Sequence, residues 1–279
     1  MDARPTSAAH VMTGAPCIGA SNRSSHMIPL FLKRTLIATA LLGCTLSAFA
    51  SVVLGGTRMV YDEARQEVSI PVNNEGKRPV LVQTWVDDGN ADARREEMRV
   101  PFLVTPPVAR IEPGKGQSLR IRKTGGELPR DRESVYYLNV VSIPPKPEGK
   151  QGEGQMQIAI RSRIKMFYRP SGLPGAAEDA PQQLRWALVT DAASGELMLE
   201  ASNPTAYNVS FSRIGLKAGN TLHTKGFGMN GGGGMVGPRA TQRFPLDGIK
   251  VRPGGPLKAD IRWIDDFGSR HDIVTDLTG

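Results

Sequence analysis

The sequence predicts an all-β protein made of two β-sandwich domains in tandem. Short runs rich in β-branched and aromatic residues recur along most of the chain, separated by turn-forming residues, and no helical period of apolar residues competes with them. A change in composition after Pro170 divides these runs into two series. Because each series is long enough to bury a core of its own, we expect two domains.

The chain starts with a segment that we exclude from the fold. Residues 27–50 have the layout of a secretory signal peptide, with two basic residues, an apolar run over 35–46 and a small-residue cleavage site that ends at Ala50. The apolar run is too short to span a bilayer comfortably. We therefore expect cleavage after Ala50 and export to the periplasm or the cell exterior, and we interpret residues 1–26 as an upstream extension.

A second cleavage site competes with the first. Residues 41–44 resemble a bacterial lipoprotein box, which would leave a lipid anchor on Cys44. The apolar run continues past Cys44 to the conventional site, so we favour cleavage after Ala50. Both cysteines, Cys17 and Cys44, precede that site, and the predicted mature chain therefore contains no disulfide.

Strand predictions cover both series of runs. The first series lies at 68–72, 80–86, 118–122 and 135–142 and ends in one long strand from Gly154 to Pro170. Six or seven strands in about 110 residues are typical of an antiparallel sandwich, which assigns residues 51–170 to the first domain. Residues 171–181 are rich in Gly, Ala and Pro and are predicted to be a linker. The second domain, 182–279, has runs at 184–189, 197–200, 209–214, 242–244, 257–263 and 273–275.

No catalytic signature accompanies these strands, so the sequence predicts neither an enzyme nor a cofactor. Residues 226–231 match the dinucleotide fingerprint formally, but four consecutive glycines from Gly231 disfavour the helix it requires, and we interpret 226–237 as a loop. His271 lies close to Asp265, Asp266 and Asp272 in the sequence. A metal or acid–base cluster there is the alternative to the favoured interpretation, a polar hairpin around 265–268 without metal.

The basic residues suggest no nucleic-acid partner. The leader holds four of the 35 basic and one of the 27 acidic residues, so the mature net charge is about +5 rather than +8. One face of the long strand carries the four cations Arg161, Arg163, Lys165 and Arg169. Stacking aromatics do not alternate with them, so we expect a solvated strand face, partly recruited to anionic sites, rather than a nucleic-acid surface.

Met156, Ile158 and Ile160 share the other parity of the long strand. At a sheet edge, this apolar stripe would lie beside unpaired backbone groups, an arrangement that invites a binding partner. The alternative is an ordinary half-buried strand that faces its own core. The alternation taken alone favours the alternative.

A series of motifs favours the binding edge over the ordinary half-buried strand. From Val52 to about Leu277 the chain resembles the periplasmic pilus chaperones of the chaperone-usher pathway, and Leu128–Pro144 is similar to the family's signature segment along its whole length. Further similar motifs occur in the family's order: Gly56-Thr57-Arg58 followed by Val60-Tyr61, Gln83-Thr84-Trp85, Phe102–Pro107, Arg110–Gly114, Arg163–Pro170 and Asn203-Pro204-Thr205.

The resemblance implies two immunoglobulin-like sandwiches set at an angle, with a cleft between them. It implies a non-enzymatic chaperone that binds pilus subunits by donor-strand complementation and delivers them to an outer-membrane usher. It leaves open whether the free chaperone self-associates through the same edge. A secreted β-sandwich adhesin or carbohydrate-binding module is the alternative, although it would need exposed aromatics in a cleft and the chain is only 6% aromatic. An enzyme centred on Asp266 and His271 is a third possibility.

The resemblance also implies roles for individual residues. Arg58 and Lys165 match the cations that hold the C-terminal carboxylate of a subunit, and Met156, Ile158 and Ile160 match the side chains that fill its open groove. Strict alternation places Ile160 and Lys165 on opposite faces, so a bulge or a strong twist would be needed to bring them together.

An ionic network completes the set that the resemblance implies. Glu133, Arg169 and Asp266 match the family's network between the two domains, which fixes the angle between them. Such a network costs desolvation where it is buried, so it is expected to specify geometry more than to add stability.

Overall fold

The computed structural model describes residues 52–94, 98–146, 157–226, 234–246, 249 and 251–278. The predictions for the leader, for Met156 and for most of the glycine-rich loop lie outside these residues. Regular structure in the described part consists of β-strands and one short 3-10 helix, Ala180–Gln183. The same residues include no helix that is long and apolar enough to span a membrane.

The first sandwich contains nine strands. They are β1 (Val52–Leu54), β2 (Arg58–Asp62), β3 (Glu67–Asn74), β4 (Val80–Asp87), β5 (Phe102–Thr105), β6 (Val108–Ile111), β7 (Gly116–Lys123), β8 (Ser134–Ile143) and β9 (Ile160–Arg169). One sheet has the order β1-β3-β7-β5 and the other β2-β9-β8-β4-β6. Alternate side chains of both sheets, among them Val72, Leu119, Ile121 and Leu138, are fully buried between them and form the core.

The second sandwich contains eight strands. They are β10 (Arg185–Thr190), β11 (Leu197–Ser202), β12 (Val209–Ala218), β13 (Thr221–Gly226), β14 (Met235–Val236), β15 (Thr241–Pro245), β16 (Leu257–Ile264) and β17 (Arg270–Asp276). One sheet has the order β10-β11-β15, and the other has the order β13-β12-β16-β17 with β14 beside β12. Three aromatic rings form its centre, with Phe211 5.6 Å from Trp186 and 5.8 Å from Phe244. Both sandwiches belong to one compact unit, Phe49–Gly279.

Each predicted run overlaps an observed strand. Most of these strands extend beyond the run, whereas β9 is shorter than its run and β10 begins one residue after its run does. Six strands that the sequence analysis did not list are β1, β2, β5, β6, β13 and β14. Most of these are short or lie at sheet edges, where few residues alternate and the pattern is weak. The first sandwich therefore has nine strands instead of six or seven.

The long strand begins later than predicted. β9 starts at Ile160 rather than Gly154, and its last pair with β8 is Ile160 opposite Ser142. Immediately after β8, which ends at Ile143, come Pro144 and Pro145, which have no backbone N–H group to donate to a neighbouring strand. The pairing between β8 and β9 shows no register shift, so no bulge reconciles Ile160 with Lys165.

The two sides of β9 differ. On one side, β8 pairs with it antiparallel from Ile160 to Tyr168. On the other side, β2 runs parallel to it but pairs only from Lys165 to Arg169. Within the described residues no strand covers that side of residues 160–164, which we term the free edge. The backbone groups on this side of the free edge are therefore available for another strand.

The predicted linker packs against the second sandwich. Leu173 and Ala177 contact its core, and Ala180, at the start of the 3-10 helix, is fully buried. The connection is therefore anchored on the second sandwich at these three residues, although more than half of its residues are exposed.

Candidate functional site

Arg58 and Lys165 lie opposite each other in the parallel pair of β2 and β9. The Lys165 ammonium donates a 3.2 Å hydrogen bond to Ser210 Oγ on β12, and Arg58 Nη1 donates a 3.0 Å bond to the carbonyl of Ile264 on β16. Two cations of the first sandwich thus make their contacts with the second. No carboxylate of the described residues forms an ion pair with either of them.

The electrostatics of this pair favour binding of an anion. Burial and the neighbouring Arg58 charge lower the pKa of Lys165 to about 8. Burial also lowers the pKa of Arg58, although the charges of Asp266 and Asp265 oppose the shift. The Nε of Arg58 is buried and has no hydrogen-bond partner in the described part of the chain. A carboxylate could accept bonds from both cations and neutralise their repulsion.

Arg58 borders a cleft of about 700 Å³ between the two sandwiches. Its walls include Arg58 and Arg169 from the first sandwich and Trp263, Phe267 and His271 from the second. Phe267 is 93% exposed, on the turn between β16 and β17. This cleft could receive a chain end whose carboxylate meets Arg58 and Lys165.

His271 belongs to a hairpin, as the sequence predicted. Its ring stacks on Trp263 at 4.6 Å, and its Nε2 lies 2.8 Å from Asp265 Oδ2. Asp265 also accepts bonds from the backbone N–H groups of Phe267 and Ser269 and so shapes the turn. Among the residues that the structure describes, no three potential metal ligands converge.

The three residues of the predicted ionic network are in direct contact. Arg169 Nε donates a 2.6 Å bond to Glu133, and its two terminal nitrogens donate to Asp266 at 2.8 and 3.1 Å. Burial acts to lower the pKa of Arg169, but the hydrogen bonds and charges of Asp266 and Glu133 outweigh it and raise the pKa. Glu133 is only 4% exposed. The network therefore links β9 to the turn after β16.

Further contacts join the sandwiches, among them two that the sequence did not predict. Glu133 Oε2 accepts a 2.9 Å bond from the backbone N–H of Asn208, and Arg239 donates a 2.6 Å bond to Asp131. Asp131 and Glu133 both lie in the segment that resembles the family signature. That similarity was the one available signal, because Asn208 and Arg239 are distant in the chain.

The apolar face of β9 is buried at one end of the strand and exposed at the other. Ile164 and Met166 on β9 are buried in the first core, whereas Ile160, on the same face, is 52% exposed and Ile158 is 62% exposed. Ile158 and Ile160 therefore lie mostly outside the first core. Lys165 lies on the opposite face, which looks toward the second sandwich.

The basic face of β9 is occupied by partners within the chain. Arg163 donates two bonds to Asp87, and Arg161 donates one to Asn139. Asp87 is fully buried; burial acts to raise the pKa of its carboxyl, but the bonds from Arg163 and Asn139 outweigh it and lower the pKa. These arginines are thus recruited to an anionic site, as the sequence analysis expected of part of this face. The sequence analysis assigned no role to Asp87.

Comparison with known proteins identifies the family. A profile described as "Pili and flagellar-assembly chaperone, PapD N-terminal domain" matches residues 51–174, and "Pili assembly chaperone PapD, C-terminal domain" matches residues 179–275. The chain belongs to the PapD family of pili assembly chaperones. The resemblance stated from the sequence is thereby confirmed.

Individual PapD-family members align over most of their length. The chaperone protein FimB/FhaD of Bordetella pertussis is 39% identical over 80% of this chain and 86% of its own. Among solved structures, the YadV chaperone is 33% identical, with a TM-score of 0.68 over 81% of this chain and all of the other. The Salmonella enterica SafB chaperone, solved in complex with the SafA pilin, is 29% identical with a TM-score of 0.63. These structures confirm the tandem immunoglobulin-like fold.

Proposed function

We propose that this protein is a periplasmic chaperone that completes pilus subunits by donor-strand complementation and delivers them to an outer-membrane usher. The observation that carries the proposal is the free edge at residues 160–164, beside which Ile158 and Ile160 are exposed. A sandwich that lacks one strand exposes its own core and can receive both the backbone bonds and the side chains that it lacks. Chaperone–pilin pairing is an established case of such strand addition.

The geometry of β2 explains where a bound subunit strand would end. β2 occupies the outer side of β9 from Lys165 onward, so an added strand has room only along residues 160–164 and before them. Its end therefore reaches the point where Arg58 and Lys165 meet, beside the cleft. We propose that these two cations hold the C-terminal carboxylate of the subunit through charge-assisted hydrogen bonds.

Ile160 and Lys165 lie on opposite faces of β9, and the proposed binding mode uses both faces. Ile158 and Ile160 would enter the groove of the subunit on one side of the strand, with Met156 as a third contact, while Lys165 reaches the carboxylate on the other. The incoming chain need not bring both contacts to one face, and so no bulge is required.

Magnitudes assign different roles to the two contacts. Each apolar side chain that becomes buried contributes about 1.5 to 3 kcal/mol, whereas a hydrogen bond to a charged group contributes a net of about 1.5 to 3 kcal/mol. The three apolar side chains together therefore supply most of the affinity. The cation pair sets the register, because a slip of one residue would point the wrong side chains into the groove.

The remaining assignments follow the same proposal. The leader is cleaved after Ala50, the first domain is 51–170, the linker 171–181 and the second domain 182–279. Glu133, Arg169 and Asp266 fix the angle between the domains, and the protein works as a chaperone without catalysis, cofactor or metal. The adhesin alternative expected aromatics in a cleft, and Trp263 and Phe267 do lie there; membership of the chaperone family and the free edge favour the chaperone.

Co-expression with a pilus subunit tests this function directly. We expect a one-to-one complex in which the backbone amides of residues 157–164 become protected from hydrogen exchange. A subunit that stays soluble and monomeric without this protein, or a complex in which those amides are no better protected than in the free chaperone, would refute strand donation. The same measurement with usher added tests delivery.

A further inference from the structure

Asp87 ends β4 on the face of the sheet that points away from the first core. Its carboxylate accepts bonds from Arg163 Nε at 3.0 Å and Nη2 at 2.5 Å, from Asn139 Nδ2 at 2.6 Å and from the backbone N–H of Gly89 at 2.8 Å. The side chain is fully buried. Asp87 is thus a saturated anionic centre that joins three neighbouring strands, β4, β8 and β9.

Arg161, two residues before Arg163 on β9, is hydrogen-bonded to the same group of side chains through Asn139. Its Nε donates a 2.9 Å bond to Asn139 Oδ1, its Nη1 donates a 2.9 Å bond to the Ala91 carbonyl, and its guanidinium lies 5.2 Å from the centre of the Trp85 ring. The guanidinium of Arg163 lies 3.6 Å from the centre of the Tyr137 ring. Both side chains are therefore fixed by hydrogen bonds and by aromatic stacking.

Arg161 and Arg163 are also the two residues of the free edge whose side chains point away from the core. The free edge is held by β8 on one side only, since β2 does not reach it. Ile164 anchors its end in the first core, whereas Ile160, like Ile158 just before it, is more than half exposed and adds little packing. In addition to the backbone pairing with β8, the contacts with Asp87 and Asn139 therefore hold this segment extended.

An ordered edge matters for strand addition. A segment that fluctuates when free must lose backbone entropy when a partner strand pairs with it, which weakens the complex. We propose that Asp87 is a positioning residue for strand donation: through Arg163, Asn139 and Arg161 it holds the free edge extended before a subunit arrives. The proposal rests on the proposed function, because it concerns the same edge.

A matched ion pair in the second sandwich separates positioning from plain stabilisation. Arg213 on β12 donates a 2.5 Å bond to Asp260 on β16, in a sheet that contains no part of the free edge. Asp87→Asn and Asp260→Asn each remove one carboxylate from an arginine. Both changes are expected to lower thermal stability, but only Asp87→Asn should loosen residues 160–164.

The test combines hydrogen exchange with subunit release. In the free chaperone, Asp87→Asn is expected to speed exchange of the amides at 160–164 that bond β8 by about tenfold, and to speed release of a bound subunit to a competing donor-strand peptide by a similar factor. Asp260→Asn should change neither rate. Arg163→Lys, which keeps the charge but loses the planar fork, should give an intermediate effect.

Three outcomes would overturn the proposal. One is unchanged exchange at 160–164 in Asp87→Asn, and another is an equal change in Asp260→Asn. The third is tighter subunit binding by Asp87→Asn, which would mean that the carboxylate acts mainly by reducing positive potential near Lys165. If Asp87→Asn does not fold, the exchange rates of Arg163→Lys decide. If the unaltered protein binds no subunit, the proposed function fails, and exchange at the free edge still decides whether Asp87 orders it.

Discussion

Arg58 and Lys165 occupy directly opposed positions in the parallel pair of β2 and β9, although like charges repel. Neither cation forms an ion pair with a carboxylate among the residues described, and burial together with Arg58 lowers the pKa of Lys165 to about 8. An arrangement that costs free energy in the isolated protein is reasonable where a ligand removes the cost.

Neutralising either cation should weaken subunit binding. Arg58→Met and Lys165→Met each remove one charge-assisted contact to the carboxylate, a loss of about 1.5 to 3 kcal/mol or roughly 10- to 100-fold in affinity. Titration calorimetry with a peptide of the subunit's C-terminal strand measures the change. Lys258→Met is the matched control, because Lys258 forms an exposed pair with Asp276 on the second sandwich. Equal affinities for all three variants would contradict the carboxylate role.

Subunit binding should weaken at alkaline pH. The ordinary pKa of lysine is 10.5, and in the folded protein that of Lys165 is about 8. A bound carboxylate favours the ammonium form, so affinity should be constant below pH 8 and fall above it. Measurements at pH 7 and pH 9.5 test this, with Lys165→Met as the control that should lose the dependence on pH.

The lowered pKa of Lys165 should make the free chaperone more stable at alkaline pH, whereas it makes subunit binding weaker there. Between about pH 8 and 10.5 the unfolded chain binds a proton at Lys165 that the folded protein has released, so the free energy of unfolding rises with pH across this window. Lys165→Met should accordingly raise the free energy of unfolding at pH 7 by about 1 to 3 kcal/mol, since one pKa unit corresponds to about 1.4 kcal/mol. Denaturant titration of both proteins at pH 7 and pH 10.5 measures it. A larger gain at pH 10.5 than at pH 7 would show the sign to be wrong.

Charges on the apolar stripe should abolish binding and leave the fold intact. Ile158 and Ile160 are 62% and 52% exposed, so Ile158→Asp and Ile160→Asp lose little native packing. Each would place a carboxylate in the apolar groove of the subunit, which should prevent recovery of the complex. Leu103→Asp on β5 is the control, because Leu103 is also 52% exposed but lies in the other sheet. Loss of the complex in Leu103→Asp alone would place the donor surface elsewhere.

The ionic network should lose more stability when its arginine is removed than when Asp266 is neutralised. Arg169→Met leaves Glu133, which is 4% exposed, without its cation and should lower the free energy of unfolding by about 3 kcal/mol. Asp266→Asn removes a partner whose side chain is 32% exposed and should cost about 1 kcal/mol or less. Chemical denaturation gives both values. A larger cost for Asp266→Asn would contradict the expectation that leaving the buried Glu133 unpaired is the main penalty.

Local patterns were sufficient for most of the fold. Alternating apolar residues identified runs such as 80–86 and 135–142, which lie inside β4 and β8, because a strand buried on one face must alternate. The same logic missed β2, whose five residues pair with β9 in parallel. It also extended β9 to Gly154, because alternation continues past the last residue that has a pairing partner.

The sequence by itself determined the all-β class, the two series of strands and the family, since these depend on alternation and on motifs within short segments. Only the tertiary structure decided that Arg58 meets Lys165, that Asp87 binds an arginine 76 positions away, and that β2 stops short of residues 160–164. Those facts depend on which distant strands share a sheet edge. Pairing between distant segments is set by the packing of the whole core, which no local pattern records.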